Sequence, residues 1–299
     1  MIFITGATGF VGRTLVAELV KEGSTVRCLV RDIRKSAHIA GEGVELVQGD
    51  VTDPVSVESA IGPDVSAVIH LVGIIAETRG ASFNAVHVQG TCNVVNACVK
   101  KAVKRYIHIS ALGARDGARS LYHKTKWQAE EIIRASGLVY TIFRPSVIFG
   151  KHDRFTNLFA KIMRFSPVVF VPGNGQNLMQ PVFVSALARL MSACLHDPRA
   201  YNKVFEVGGP EAYSFDDVFD EIARSLGKKV MKIHVPMPLM RLAAAISEGV
   251  LPSPPITRDQ LIMLEEDNIT EEDHFKEFGI TPTGFRQGLT GIDFQCLSK

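Results

Sequence analysis

Three side chains have the types and spacing for acid–base chemistry at a carbon–oxygen bond: Ser110, Tyr122 and Lys126. Tyr122 and Lys126 stand four residues apart, so on a helix they share one face. A tyrosine with a pKa of about 10 exchanges protons poorly at neutral pH. A neighbouring ammonium favours the phenolate and pulls that pKa down, which makes the pair a candidate proton shuttle. Ser110 would hold the oxygen that takes the proton. Tyr-x-x-x-Lys spacing alone arises often by chance. A serine twelve residues upstream at a strand end, together with a glycine turn at the N-terminus, makes it informative.

The elements that must position these residues are legible as alternating patterns. Apolar β runs at 1–4, 25–30, 44–48, 67–72, 105–110 and 140–143 alternate with helical spacing, notably over 85–99 and 124–135. This alternation predicts an α/β fold, a Rossmann-like doubly wound parallel sheet whose ligands lie at the carboxyl ends of the strands. The first strand runs into Thr5-Gly6-Ala7-Thr8-Gly9-Phe10-Val11-Gly12 and then a helix. Such a turn offers backbone N–H groups and a positive helix end to a diphosphate. Gly6 takes a conformation that a Cβ resists, Gly9 lets a phosphate approach, and Gly12 lets the helix pack on its strand. Gly6, Thr8, Gly9, Phe10, Val11 and Gly12 are therefore the expected nucleotide contacts.

The second strand is followed by Arg31 and Asp32, with Arg34 and Lys35 close behind. A guanidinium there suits a ribose 2′-phosphate, which predicts NADP(H) over NAD(H); Asp32 alone would suit a 2′-hydroxyl. Gly49-Asp50-Val51 ends the third strand and would flank the adenine. Lys126 would also bond the nicotinamide ribose.

Composition bounds the rest. A net charge of +2 over 299 residues gives no reason to expect nucleic acid. Cys28, Cys92, Cys98, Cys194 and Cys296 form no CxxC pair and read as reduced thiols, and the nine scattered histidines give no metal-site spacing. The first strand starts at residue 2, and Arg241 and Glu248 interrupt the best apolar stretch. A cytoplasmic protein is the expectation. Lys100, Lys101, Lys104 and Arg105 form the densest basic cluster and are expected to be solvated. The pattern changes after Gly150: the dinucleotide domain is expected over 1–150 with 181–207 returning to it. A smaller C-terminal substrate lobe is expected from 151–180 and 208–299. Val182 to Val184 reads as a strand running into a helix capped by Ser185, and Pro252 to Pro255 as a rigid break. Phe149, Phe155, Phe159, Met163, Phe165 and Phe170 read as a helix packed on the lobe, the alternative being the lining of a pocket for a hydrophobic or quinone-like substrate. The stretch 238–250 is amphipathic, fit for a membrane surface or a cap over the cleft.

The glycine turn, Gly49-Asp50-Val51-Thr52-Asp53, Ser110, Tyr122 with Lys126, and Arg144-Pro145-Ser146 resemble the short-chain dehydrogenase/reductase superfamily, in its extended and atypical branches, over nearly the whole chain. Ser110-Ala111-Leu112-Gly113-Ala114, Asp153-Arg154-Phe155, Gln180-Pro181-Val182, Gly208-Gly209-Pro210 and Thr257-Arg258-Asp259-Gln260-Leu261 are similar to bacterial relatives of the NADPH-binding accessory subunit of respiratory complex I. The resemblance implies an NADP(H) site with Arg31 near the phosphate and strand-end contacts from Leu71 and Gly73. It also implies a turn over 145–147 that sets Pro145 and Val147 against the nicotinamide. One departure stands out: the superfamily's Asn-x-x-Gly-Thr is His87-Val88-Gln89-Gly90-Thr91 here. The expected function is an NADP(H)-dependent oxidoreductase acting on a carbonyl or secondary alcohol of a small-molecule substrate. The alternatives are a nucleotide-sugar epimerase or dehydratase, and a non-catalytic NADP(H)-binding accessory protein of a respiratory or other membrane complex.

Overall fold

The computed structural model describes residues 1–251, 254–292 and 294; Cys296 and the first half of the 252–255 break lie outside the described residues. In chain order the elements begin β1 (Ile2–Thr5), α1 (Phe10–Lys21), β2 (Val26–Val30), β3 (Val44–Gln48), α2 (Pro54–Ala60), β4 (Ala67–His70), α3 (Gly90–Lys100), β5 (Arg105–Ile109), α4 (Leu121–Ala135) and β6 (Val139–Pro145). They continue with β7 (Ile148–Phe149), α5 (Phe155–Phe165), β8 (Val168–Pro172), β9 (Leu178–Met179), β10 (Val182–Phe183), α6 (Val184–Ala193) and β11 (Lys203–Val207). The last are β12 (Tyr213–Ser214), α7 (Phe215–Ser225), β13 (Met231–Val235), α8 (Met237–Val250), α9 (Arg258–Met263), α10 (His274–Glu277) and α11 (Phe285–Thr290). The chain divides into two compact units: Met1–Arg144 with Leu187–Phe205, and Pro145–Ala186 with the chain from Glu206 onward.

In the first unit, seven strands among the described residues form one sheet, ordered β11-β6-β5-β4-β1-β2-β3. The pairings from β3 through β6 are all parallel. Strand order reverses between β1 and β4, and a doubly wound sheet binds its ligands above such a reversal. The strands are near-continuous apolar runs because both faces are covered: β1 and β4 are buried at every position. Helix α1 buries Gly12, Leu15, Val16 and Leu19. Phe3, Val68, Tyr106, Val94, Val95, Cys98 and Ile133 fill the core on the side of α3 and α4.

Two local departures from the sequence expectation matter for the site. Helix α4 starts at Leu121, ahead of the expected 124, because the Ser120 hydroxyl accepts the His123 N–H and caps it. That places Tyr122 in the first helical turn. The expected helix over 85–99 is wound as a π-helix across Asn84–Gln89 before α3 continues it. Such a bulge often marks a functional position, and His87 lies on it.

Arg105 corrects a further expectation. It is buried, not solvated with its lysine neighbours. Its Nε donates to Leu195 O at 2.8 Å, and Nη2 donates to Cys194 O and Thr141 Oγ1, both at 2.7 Å. Nη1 donates to Val139 O at 3.0 Å, and the guanidinium lies 4.8 Å from the centroid of the Tyr201 ring. This one side chain ties the returning segment to β5 and β6.

The second unit packs Phe149, Met163, Phe215, Phe219 and Phe285 into a core of its own. Phe149 meets Phe285 edge-on at 4.9 Å, and Phe159 meets Phe219 at 4.5 Å. Of the apolar set expected on this lobe, Phe165 and Phe170 are instead exposed. Helix α6 opens on Val184, so Ser185 lies inside its first turn. Helix α7 begins with a capping box between Ser214 and Asp217. On α8 the exposed positions Leu239, Leu242, Ile246 and Val250 form one apolar stripe, while Arg241 pairs with Glu265 and Glu248 pairs with Arg258. Among the described residues no helix is long and apolar enough to cross a membrane.

Candidate active and cofactor site

The glycine turn between β1 and α1 has the geometry of an anion cradle. Gly6 has φ +79°, a conformation that L side chains rarely adopt, and a Cβ there would stand 2.9 Å from the Leu71 carbonyl carbon. A Cβ on Gly12 would fall 2.2 Å from Gly6 O, and one on Gly9 3.1 Å from it. Gly9 is the N-cap of α1 and provides no side-chain cap, so the first N–H groups of the helix are left for a ligand. Thr8, Phe10 and Val11 are partly exposed around that opening, and Gly9 is exposed. The residues present fit a dinucleotide diphosphate.

Beside the turn, Arg31, Gln48, Gly49, Asp50, Asp53 and Ser56 line a hollow of about 250 Å³ at the ends of β2 and β3. Asp32 turns its carboxylate back into its own loop, accepting Arg34 N–H at 3.0 Å and Lys35 N–H at 3.2 Å. Arg31 is exposed and faces the hollow without that competition. Asp50 Oδ1 accepts from the Thr52 N–H at 2.9 Å and its hydroxyl at 2.8 Å. The Val51 side chain is buried in the core, and its carbonyl is held by Asn93 Nδ2 at 2.9 Å, an anchor that sequence reasoning did not pick out.

Tyr122, Lys126 and His87 converge above β4 and β5. Lys126 is buried and its Nζ donates to Ile109 O at 2.7 Å. Gly73, past the end of β4, is small enough to admit this ammonium: a Cβ there would lie 3.3 Å from Lys126 Nζ and 3.5 Å from His87 Nε2. The His87 ring is edge-on to Tyr122 at 5.5 Å, and Phe83 meets Tyr122 at 5.9 Å. His87 Nε2 accepts the Ile74 N–H at 3.0 Å, so its proton sits on Nδ1 and goes to Thr125 Oγ1 at 2.9 Å. Thr125 gives its own hydroxyl proton to Leu121 O or Tyr122 O. The departure at His87 is therefore a strut between the loop after β4 and the helix that carries Tyr122 and Lys126.

Electrostatics here run against the sequence expectation. Burial pushes the Tyr122 phenol up to about 12 where a lowering by Lys126 was expected. Burial also pushes the Lys126 ammonium down to about 8, although the Glu130 carboxylate opposes it. Removal from water is the dominant cause at both groups. His87 is pushed down to about 2 by burial and by Lys126, and stays neutral.

Ser110 is placed differently from the other two. Its hydroxyl donates to Glu130 Oε1 at 2.6 Å, and Glu130 is gripped by Arg144 Nε at 2.9 Å and by Arg134 Nη2 at 2.6 Å. Its proton is thus committed inside a buried ionic cluster. Leu71 follows β4 and abuts Gly6. Pro145 closes β6, and Val147 packs against the core of the second unit, to which both belong.

A parallel sheet with a glycine cradle at its reversal point, and a Tyr–Lys pair on the helix after β5, defines an NAD(P)-binding Rossmann protein with a reductase- or epimerase-like fold. Comparison with known proteins agrees. Residues 6–159 match the NAD(P)H-binding family model, and the chain belongs to that family, in its atypical short-chain dehydrogenase/reductase branch. It is 30% identical to rat mitochondrial NADH dehydrogenase (ubiquinone) 1 alpha subcomplex subunit 9, over 94% of this chain and 76% of that one. It is 28% identical to the ceramide reductase of Caulobacter vibrioides, over 83% of this chain and 78% of that one. Among solved structures it is similar to the NADPH-dependent quinone oxidoreductase QOR2 of Escherichia coli in complex with NADPH, with a TM-score of 0.79, 20% identity, and coverage of 97% of this chain and 99% of that one.

Proposed function

We propose that this protein is an NADP(H)-dependent reductase of a carbonyl or quinone-like group, with Tyr122 as the acid/base and Lys126 as its electrostatic partner. The observation that carries this is the placement of Tyr122 and Lys126 one turn apart on α4, with His87 bracing that helix through Thr125. The bound coenzyme supplies the hydride. The turn from Gly6 to Gly12 holds the diphosphate, Arg31 the 2′-phosphate, and Lys126 the ribose beside the nicotinamide. Tyr122 gives its proton to the oxygen that becomes a hydroxyl. Ser110 has no part in that transfer, because its proton is committed to Glu130. A ceramide reductase and a quinone oxidoreductase among the similar proteins support carbonyl-bearing, apolar substrates as the class to screen. The test is NADPH oxidation against a panel of long-chain ketones and quinones, with Tyr122→Phe as control. Turnover that survives Tyr122→Phe unchanged would exclude the assigned acid.

A second reading, an NADP(H)-binding accessory protein without turnover, is favoured by the raised Tyr122 pKa and the committed Ser110 hydroxyl. The similarity to a respiratory-complex subunit suits it. It predicts thermal stabilisation by NADPH, no oxidation with any member of the panel, and a membrane-complex partner.

A further inference from the structure

Beneath Lys126 the interface between the sheet and the α3–α4 side carries polar side chains where an apolar layer would be the usual filling. His70 on β4 and His108 on β5 are partners in register, and both are buried. Their rings stack at 5.3 Å. Tyr106 lies two residues before His108 on the same face of β5, with its ring centroid 6.4 Å from each imidazole. Thr5, in register with His70 on β1, bonds His70 Nδ1 at 2.6 Å. Among the described residues no protein atom partners His70 Nε2, either ring nitrogen of His108, or the Tyr106 hydroxyl.

A neutral imidazole carries one donor and one acceptor, and a buried phenol carries both in one atom. Groups of this kind that converge in an interior find each other, the backbone or a water. Apart from the Thr5 bond to His70 Nδ1, neither backbone nor side chain among the described residues meets them. Lys126 is a near neighbour: its Nζ donates to the carbonyl of Ile109, the residue after His108, and its charge acts on both imidazoles.

We propose that His70, His108 and Tyr106 enclose an internal water site that relays protons to Lys126. The relay role rests on Tyr122 acting as the acid; the water site itself does not. A neutral imidazole accepts a proton on one nitrogen as it releases one from the other. A proton passed from Lys126 to the Tyr122 phenolate is thus replaced by one entering from solvent water, and the relay keeps its charge. Burial and the nearby ammonium hold both histidines below their ordinary pKa, in the neutral form this exchange needs.

The site is tested first by a crystal structure at a resolution that shows ordered water. Water within hydrogen-bond distance of His70 Nε2 and a His108 ring nitrogen is expected; a dry enclosure overturns the proposal. The relay is tested by NADPH oxidation with menadione as the probe. His108→Leu is expected to lower kcat by about tenfold or more and to enlarge the solvent deuterium isotope effect, with NADPH affinity and the KM for menadione unchanged. His108→Gln, which keeps a donor and an acceptor, is expected to restore most of the rate. Wild-type turnover unaffected by His108→Leu, or a parallel loss of NADPH affinity, overturns the relay alone. Absence of wild-type turnover overturns the relay and the reductase assignment together, while the density still decides the water site.

Discussion

His87 Nδ1 donates to Thr125 Oγ1 across 2.9 Å, and Thr125 immediately precedes Lys126 on α4. Because the opposite nitrogen accepts the Ile74 N–H, one imidazole sets the distance between the loop after β4 and the helix that carries Tyr122 and Lys126. His87→Ala is expected to lose about 1–3 kcal/mol of stability, since it strands a backbone donor and a hydroxyl. Chemical denaturation measures this, and a midpoint equal to wild type would show that the strut carries no strain-bearing role.

The same burial sets a pH dependence. His87 falls to about 2 and His70 to about 3 in the folded chain, against an ordinary 6.5. Below about 6.5 the unfolded chain binds protons that the folded one refuses, so stability is fully present above that pH and declines as pH falls. Each group contributes a slope of about 1.4 kcal/mol per pH unit while it stays neutral in the fold. Urea midpoints at pH 7 and pH 5 should show the decline, and His87→Gln should flatten it.

Lys126 has the opposite charge economy to an ordinary surface lysine. Its ammonium is lowered from 10.5 to about 8 by burial. The unfolded chain therefore holds that proton more tightly, and the resulting penalty is largest below pH 8 and fades as pH rises toward 10.5. Lys126→Met is expected to raise stability at pH 7 by on the order of 1–3 kcal/mol while abolishing turnover. Differential scanning calorimetry beside an NADPH oxidation assay checks both halves, and a destabilised variant would count against the desolvation argument.

Arg31 lines the hollow at the ends of β2 and β3, while Asp32 is folded into its own loop. Arg31→Ala is expected to weaken NADPH binding by about ten- to a hundredfold and leave NADH binding nearly unchanged. Titration calorimetry with both coenzymes gives the ratio. An unaltered preference would remove Arg31 from phosphate recognition.

Arg105 is a cation satisfied almost wholly by carbonyl oxygens. Replacing it with Leu leaves those acceptors without their donor and is expected to cost about 2–4 kcal/mol, with Arg105→Lys recovering only a minor part. Guanidinium denaturation of the three proteins would show the ranking.

Much of the first unit was legible because its strands are continuous apolar runs and its phosphate turn requires glycine at fixed places. Gly6 and Gly12 could be placed from sequence since no other residue fits there. Ser110 was readable as a strand end but not as a hydroxyl aimed at Glu130, because the partner lies twenty residues away on α4 and only packing brings it near. Arg105 misled for a similar reason: three neighbouring lysines suggest water, while two of its acceptors, the Cys194 and Leu195 carbonyls, come from a segment about ninety residues downstream. The pKa directions at Tyr122 and Lys126 depend on how deeply the pair is sunk, and spacing records adjacency without recording depth.

The Arg105 staple also bears on how the chain is made. Residues 105 and 195 leave the ribosome far apart in time, and β11 arrives later still. Until then the nascent first unit has a bare sheet edge at β6 and a guanidinium lacking two of its carbonyls. A gene fragment ending near residue 150, however natural its boundary looks, would encode a polypeptide halted at that unfinished stage.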